Sequence, residues 1–290
     1  MSGKLSGRVA VVTGGGRGIG AAIARVLAIE GAAVALAARS RGQLEAVAAT
    51  IRNDGGRAVA VVADVGRSAD AERIVAEATS ELGPVDVLVN CAGIYGPIGL
   101  AHEADPVAWA RAVEVNLLGT FHCCRAALPG MIARRRGSIV NMSGGGAAAP
   151  LARFSAYGAS KAGIVRLTET LAEEVAPFGV RVNAIAPGAI DTGLQDDVLD
   201  AGERAGALYH RIKALRETGA GGTPIDVPAR LAAFLASDDS VGLTGRLIAA
   251  PHDGWERWDQ ARIGALEGTP WFTLRRIDPH TIRPLEGKSP

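Results

Sequence analysis

Cysteine, aromatic side chains and net charge are all scarce in this chain, and each shortage excludes something. The 290 residues hold three cysteines, Cys91, Cys123 and Cys124. They cannot frame a disulfide scaffold and none has the C-x-x-C spacing of a redox or zinc site, so a reducing, cytoplasmic setting is expected. With 31 Lys+Arg against 30 Asp+Glu the formal charge is +1, too small for broad attraction to nucleic acid or anionic lipid. The Arg134-Arg135-Arg136 cluster reads as a solvated helix end. No run of about twenty residues is free of charge, Gly or Pro, and Met1-Ser2-Gly3-Lys4-Leu5 has no apolar leader core, so neither membrane nor nucleic acid is an expected partner. His102, His122, His210, His252 and His280 are scattered, and neighbouring His122, Cys123 and Cys124 point in different directions on a helix; no metal site is expected.

What the chain has in quantity is small apolar residues. It is 48% hydrophobic with only 4% aromatic and 38 glycines, enough to build a core from Ala, Val, Leu and Ile. Val- and Ala-rich runs at 8–13, 32–38, 58–64, 85–90, 138–142, 180–186 and 245–250 alternate with segments of helical period. That alternation predicts one α/β domain over 1–254 with a seven-stranded parallel sheet, doubly wound because the runs are apolar on both faces. Two segments break the rhythm. Residues 190–223 are polar and Gly-bearing with weak helical patterning, which suits a mobile lid after the sixth strand. The extension 255–290 carries Trp255, Trp258 and Trp271, three of the four tryptophans, and is expected to be docked, either over a substrate pocket or on the outer surface.

The loop Thr13-Gly14-Gly15-Gly16-Arg17-Gly18-Ile19-Gly20 joins the first strand to a helix predicted over 21–30. Glycines there let backbone approach a pyrophosphate, while the helix N-terminus offers free N–H groups and a positive dipole. Strand, loop, helix and second strand together form a Rossmann-type dinucleotide site, with Gly14, Gly16, Arg17, Gly18, Ile19 and Gly20 as contacts. The second strand ends Ala37-Ala38-Arg39-Ser40, with no acid to accept from a ribose 2′-OH. Arg39 can instead pair with a 2′-phosphate and Ser40 can donate to it, so NADP(H) is expected over NAD(H).

Tyr157 and Lys161 stand four apart at the start of a predicted helix, on one face. An ammonium beside a phenol should lower its pKa and make Tyr157 a usable acid or base. With these motifs in hand, the stretch from Leu5 to Gly254 resembles the short-chain dehydrogenase/reductase family. Thr13, Gly14, Gly18 and Gly20 match its T-G-x-x-x-G-x-G loop, Asp64-Val65 its adenine-contacting pair, and Asn90-Cys91-Ala92-Gly93 its N-N-A-G, with Cys in second place. Asn116 matches the asparagine that holds a relay water, and Pro187, Gly188, Ile190 and Thr192 match the turn that receives the nicotinamide carboxamide. The resemblance implies hydride transfer between the nicotinamide and a carbonyl carbon, with Tyr157 moving the proton on oxygen and Lys161 also binding the nicotinamide ribose. It further implies a homodimer or homotetramer paired through the helices after Asn116 and before Val180.

One position departs from the family pattern. The serine expected thirteen residues before the tyrosine is Gly144, and Ser143 lies fourteen before. Either the loop brings the Ser143 hydroxyl to the substrate oxygen, or Ser143 caps the strand end and activity depends on Tyr157; a serine introduced at 144 would then supply the missing donor. Tyr95, Ile98, Pro150, Leu151, Arg153, Phe154, Leu194, Leu199 and Leu208 are candidate pocket residues. The leading expectation is an NADP(H)-dependent oxidoreductase acting on a ketone, aldehyde or alcohol. The alternative is a cofactor-binding regulatory or scaffolding protein with little turnover.

Overall fold

The computed structural model describes residues 3–276. Strands β1 (Val9–Thr13), β2 (Ala33–Ala38), β3 (Ala58–Val62), β4 (Val87–Asn90), β5 (Gly137–Met142), β6 (Val180–Ala186) and β7 (Leu247–Ala249) form one parallel sheet in the order β3-β2-β1-β4-β5-β6-β7. β6 coincides with the predicted run, β1 to β5 differ from theirs by one or two residues at one end, and β7 is shorter than its run at both ends. The sheet order reverses between β1 and β4, which opens a crevice beyond their carboxyl ends.

Helices cover both faces. One core sets Ile23 and Leu27 of α1 (Gly18–Ile29), Leu44 of α2 (Arg41–Asn53) and Leu231 and Leu235 of α9 (Asp226–Ala236) against the sheet. The opposite core uses Ile74 of α3 (Ser68–Leu82), Met131 of α5 (Gly119–Ala133) and Leu171 of α6 (Ser155–Val175). Every residue of β1 and β4 is buried, as a strand packed on both faces requires. α1 opens at Gly18, three residues before the predicted start, so its first turn grows directly out of the glycine loop. Between α3 and α5, Asp105 caps α4 (Pro106–Val113) by accepting from Val107 N at 3.1 Å and Ala108 N at 3.4 Å, with Pro106 in the first turn. Trp109 of α4 then donates to Ser155 Oγ at 3.1 Å and fixes the start of α6. Among the described residues no helix is long and apolar enough to cross a membrane.

Three expectations are refined. Residues 196–218 are largely helical, with α7 (Asp196–Ala201), a 3-10 turn (Gly202–Ala205) and α8 (Ala207–Thr218), and they bury Val198, Ala205, Ile212 and Leu215. The arginine cluster is not simply solvated: Arg134 donates to Val85 O at 2.5 Å, and Arg134 and Arg136 lie 3.8 and 3.6 Å from the buried Asp86 carboxylate. The extension docks on the outer edge of the sheet. Leu247 N donates to Phe272 O at 2.7 Å, and Arg246 reaches Thr269 O, Trp271 O and Leu266 O at 2.5–2.7 Å. Trp255 is 5% exposed and donates to Ala250 O, while Leu274 N and Arg275 meet the buried Glu169 of α6. α10 (Gln260–Leu266) adds Ile263 and Leu266 to the core. None of residues 255–276 lines the cleft described below; residues 277–290 of the extension lie outside the described residues.

Because Trp255 sits in the main core beside Phe234, at 5.7 Å between ring centroids, the extension is part of the fold's stability. Trp255→Ala is expected to cost about 3–5 kcal/mol, read as a lower urea midpoint at unchanged slope.

Candidate active site

A cleft of about 410 Å³ runs along the carboxyl ends of the central strands. At one end it is walled by Gly14, Gly16, Arg17, Gly18, Ile19 and Gly20, and then by Arg39, Ser40, Asp64 and Val65. Ala92 and Gly93 line its middle, and Ser143, Tyr157, Lys161, Pro187 and Thr192 its far end. Gly14, at φ +67°, has no room for a side chain, since a Cβ would stand 2.9 Å from Ala92 N. A Cβ on Gly20 would overlap Gly14 O, so the turn and the first helical turn are packed backbone to backbone. This is a cradle shaped for an anionic group at a helix N-terminus, with two exposed arginine side chains on its rim.

Other candidate residues stand behind the wall. Thr13 Oγ1 accepts from Cys91 N at 3.1 Å and Ala92 N at 3.2 Å, tying the end of β1 to that of β4. Asn90 Nδ2 donates to Asn141 Oδ1 at 2.8 Å, and Asn141 Nδ2 to Thr168 Oγ1 at 2.9 Å, a buried polar chain joining β4, β5 and α6. Gly188 and Ile190 support the cleft residues Pro187 and Thr192 without lining the cleft themselves. Asp64 is ion-paired with Arg111 and accepts from Gly66 N at 3.0 Å, which fixes the turn after β3. Cleft residues that sequence reasoning missed include Gln43, Cys91, Met142 and Gly193; all lie within two or three residues of a recognised motif, and that proximity was their only signal.

Tyr157 and Lys161 lie one turn apart on α6, 7% and 3% exposed. Lys161 Nζ donates to Met142 O at 2.8 Å and stands 5.5 Å from the centre of the Tyr157 ring. Asn116 occupies a single π-helical turn, Glu114–Leu118, between α4 and α5. Its amide exchanges two hydrogen bonds of 2.9 Å with the backbone of Ile94 and donates a third to Ser160 Oγ. A Cβ on Gly93 would lie 3.2 Å from Asn116 Oδ1 and 3.5 Å from Lys161 Nζ, so the missing side chain lets these groups converge.

Ser143 Oγ is buried and has no hydrogen-bond partner among the described residues, so it does not cap the strand end. A Cβ on Gly144 would overlap the Tyr157 hydroxyl and stand 3.2 Å from Cζ. The phenol also behaves differently from expectation. Burial, reinforced by Tyr95 and Cys91, raises the Tyr157 pKa, and the nearby lysine does not offset this because burial drives Lys161 itself down to about 8. Among the described residues no three His, Cys, Asp or Glu side chains gather as metal ligands would.

The depressed Lys161 pKa has a thermodynamic consequence. Between pH 8 and the unfolded value of 10.5 the unfolded chain binds this proton and the folded chain does not, so this group makes folding more favourable as pH rises. Tyr95 and the cysteines, whose pKa values are raised by burial, act in the opposite sense above about pH 9. The melting-temperature difference between the unmodified chain and Lys161→Met isolates the lysine, and it is expected to grow in favour of the unmodified chain from pH 8 to pH 10 in calorimetry.

Residues 8–202 match the family model described as short chain dehydrogenase. A relative in Xanthobacter autotrophicus, 2-(S)-hydroxypropyl-CoM dehydrogenase 3, is 39% identical over 250 residues, covering 86% of this chain and 97% of its own. Among solved structures, NAD+-bound xylitol dehydrogenase has TM-score 0.79 at 33% identity over 85% of this chain and 98% of its own. A single-residue variant of actinorhodin polyketide ketoreductase, with NADPH, has TM-score 0.78 at 32% identity, covering 86% and 97%. Taken with the sheet order and the cleft, these likenesses establish that the chain belongs to the short-chain dehydrogenase family of oxidoreductases.

Proposed function

We propose that this chain is an NADP(H)-dependent oxidoreductase interconverting a ketone or aldehyde with the corresponding alcohol, with Tyr157 as proton donor and acceptor. The observation that carries the reading is the convergence of Tyr157, Lys161 and the unpartnered Ser143 hydroxyl at one end of a cleft whose other end is the glycine cradle with Arg17 and Arg39. The cradle would hold the pyrophosphate at Gly14, Gly16, Gly18 and Ile19, Asp64 and Val65 would border the adenine, and Pro187 and Thr192 the nicotinamide end. When bound, the cofactor supplies the hydride donor or acceptor.

The protein's own groups supply the rest. The buried phenol of Tyr157 keeps its proton at neutral pH and releases it only as negative charge develops on the substrate oxygen. Lys161, anchored to Met142 O, provides positive potential beside the forming phenolate. Ser143 Oγ has no competing acceptor among the described residues, so its proton is available to the substrate oxygen, where a preorganised donor is most effective. Asn116 fixes the Ile94 backbone next to Lys161. At the other end, Arg39 and Ser40 are exposed on the cleft rim with no carboxylate at the end of β2, which favours a 2′-phosphate over a ribose hydroxyl. Similar structures carry NAD+ in one case and NADPH in another, so the preference rests on these residues. The same reading takes 1–254 as the catalytic domain of a cytoplasmic homodimer or homotetramer.

Titration calorimetry is expected to show NADPH binding at least about tenfold more tightly than NADH, a difference of about 1.4 kcal/mol, with Arg39→Asp reversing the order; equal affinities in the unmodified chain would remove the assignment of Arg39. Tyr157→Phe should abolish turnover of a carbonyl panel and leave cofactor affinity within a few-fold, and retained activity would withdraw the proton-transfer role. Ser143→Ala is expected to lower kcat by about 10²-fold or more. Gly144→Ser should also lower it, because the new Cβ displaces the Tyr157 hydroxyl; a higher rate would show that the loop makes room.

A further inference from the structure

Tyr95, Leu151, Phe154, Leu199 and Leu208, all expected around a substrate pocket, do not line the cleft. They are packed with Tyr157 into an apolar cluster, into which Val198, Ala205, Ile212 and Leu215 from the 196–218 segment are buried. The side of Tyr157 away from the cofactor cradle is therefore filled by the protein's own cover.

Two buried hydrogen bonds at Gln195 fasten that cover, one of them from Gln195 Nε2 to Ile190 O at 3.3 Å. The Tyr95 hydroxyl donates to Gln195 Oε1 at 3.1 Å, with the two residues 5% and 8% exposed. Gln195 begins the cover, since its carbonyl accepts from Val198 N and Leu199 N at 3.1 Å. Tyr95 belongs to the fixed part of the site. Its neighbour Ile94 is clamped by Asn116, and its ring lies 4.7 Å from that of Tyr157 and 5.1 Å from that of Phe154. The charged fastenings to the body, Arg216 to Asp191 and Arg153 to Arg204 O, are on the solvent side, where screening weakens them.

We propose that the substrate site is the apolar volume beside Tyr157 that the cover now fills, with Tyr95 and Gln195 as its latch, and that the substrate is an uncharged carbonyl compound whose apolar body replaces the cover's side chains. The inference rests on the reading of Tyr157 as proton donor and acceptor. The side chains that the cover buries there, Val198, Ala205, Ile212 and Leu215, are all apolar, so a charged group standing in their place would lose its hydration in apolar surroundings. A closed cover also lowers apparent affinity by the fraction of molecules that are open. Tyr95→Phe keeps the ring contacts but leaves Gln195 Oε1 unpaired in the closed state, which shifts the balance toward open. This effect is the reverse of ordinary damage to a binding site, which raises KM.

The test uses the full chain. Without substrate, trypsin cleavage at Arg204, Arg211, Lys213 and Arg216, followed by mass spectrometry, should be about fivefold faster in Tyr95→Phe, the equivalent of a hydrogen bond of about 1 kcal/mol. Gln195→Leu, which also loses the Ile190 bond, should be cleaved at least as fast, and adding Tyr95→Phe to it should change nothing further. With NADPH and a panel of neutral cyclic and aryl ketones, cyclohexanone among them, KM should fall about fivefold in each variant while kcat moves less; keto acids of matched size should be poorer substrates. Unchanged cleavage in both variants overturns the latch, and faster cleavage with an unchanged or higher KM overturns its control of substrate entry. A preference for keto acids overturns the substrate class. If nothing on the panel is turned over, the reading of Tyr157 is what fails, and the cleavage rates still decide the latch.

Discussion

An ammonium group taken out of water organises this structure. Lys161 is 3% exposed, and its Nζ hydrogen bond goes to the carbonyl of Met142, the last residue of β5. A buried cation with so few partners is costly unless the surroundings are rigid, and the surroundings are tied together at three levels. The Asn90–Asn141–Thr168 chain locks β4, β5 and α6 in register. Asn116 clamps Ile94 and reaches Ser160, the residue before the lysine. Gly93 contributes no side chain, so the backbone can come close. Tyr157 lies one turn earlier on the same helix, so whatever holds Lys161 also aims the phenol. Farther along α6, Glu169 receives the C-terminal extension, and one helix thus links the active-site cleft to the outer edge of the sheet.

Much of this was legible in the sequence because the strands are apolar on both faces, which fixes a doubly covered parallel sheet, and because the glycine loop and the Tyr157–Lys161 spacing are local signals. The parts that were not legible depend on contacts between distant segments. Thr13 and Asn90 belong to motifs that resemble a cofactor site, but Thr13 Oγ1 accepts from Cys91 N and Ala92 N, and Asn90 Nδ2 donates to Asn141 Oδ1 on the neighbouring strand. Residues 196–218 show only weak helical patterning in the sequence because Gly202 and Gly206, at φ +56° and +60°, interrupt the helical period between Val198 and Ile212. The proximity of ammonium and phenol followed from spacing. The burial that outweighs it did not, since it comes from the cover and from Tyr95, far away in the chain.

The extension illustrates the same division. Its tryptophans announce docking, but the place is set by β7, which is only three residues long and ends the sheet. An edge strand leaves backbone groups unpaired, and Phe272 O satisfies Leu247 N. Arg246 is 9% exposed, and three carbonyls of the extension hold its guanidinium. The edge, the arginine and the tryptophans are therefore mutually dependent, and the extension completes the sheet rather than decorating it.

The Ser143–Gly144 pair follows from crowding at the Tyr157 hydroxyl. A buried hydroxyl without a partner costs about 1–3 kcal/mol, and Ser143 Oγ bears that penalty beside the cleft. Gly144 occupies the position where the family pattern has serine, and no Cβ fits there while the phenol keeps its place. The two observations are linked. In extended chain, successive side chains point to opposite sides, so a donor moved back by one residue reaches the same region only if the backbone turns after the strand. It does so here: Ser143 N still pairs with Ile185 O as the last rung beside β6, and Ala147 N closes a turn onto Gly144 O. In the proposed reaction the serine's unspent hydrogen bond and the glycine's empty volume are two halves of one arrangement, one supplying a donor to the substrate oxygen and the other making room for the phenol that acts on it.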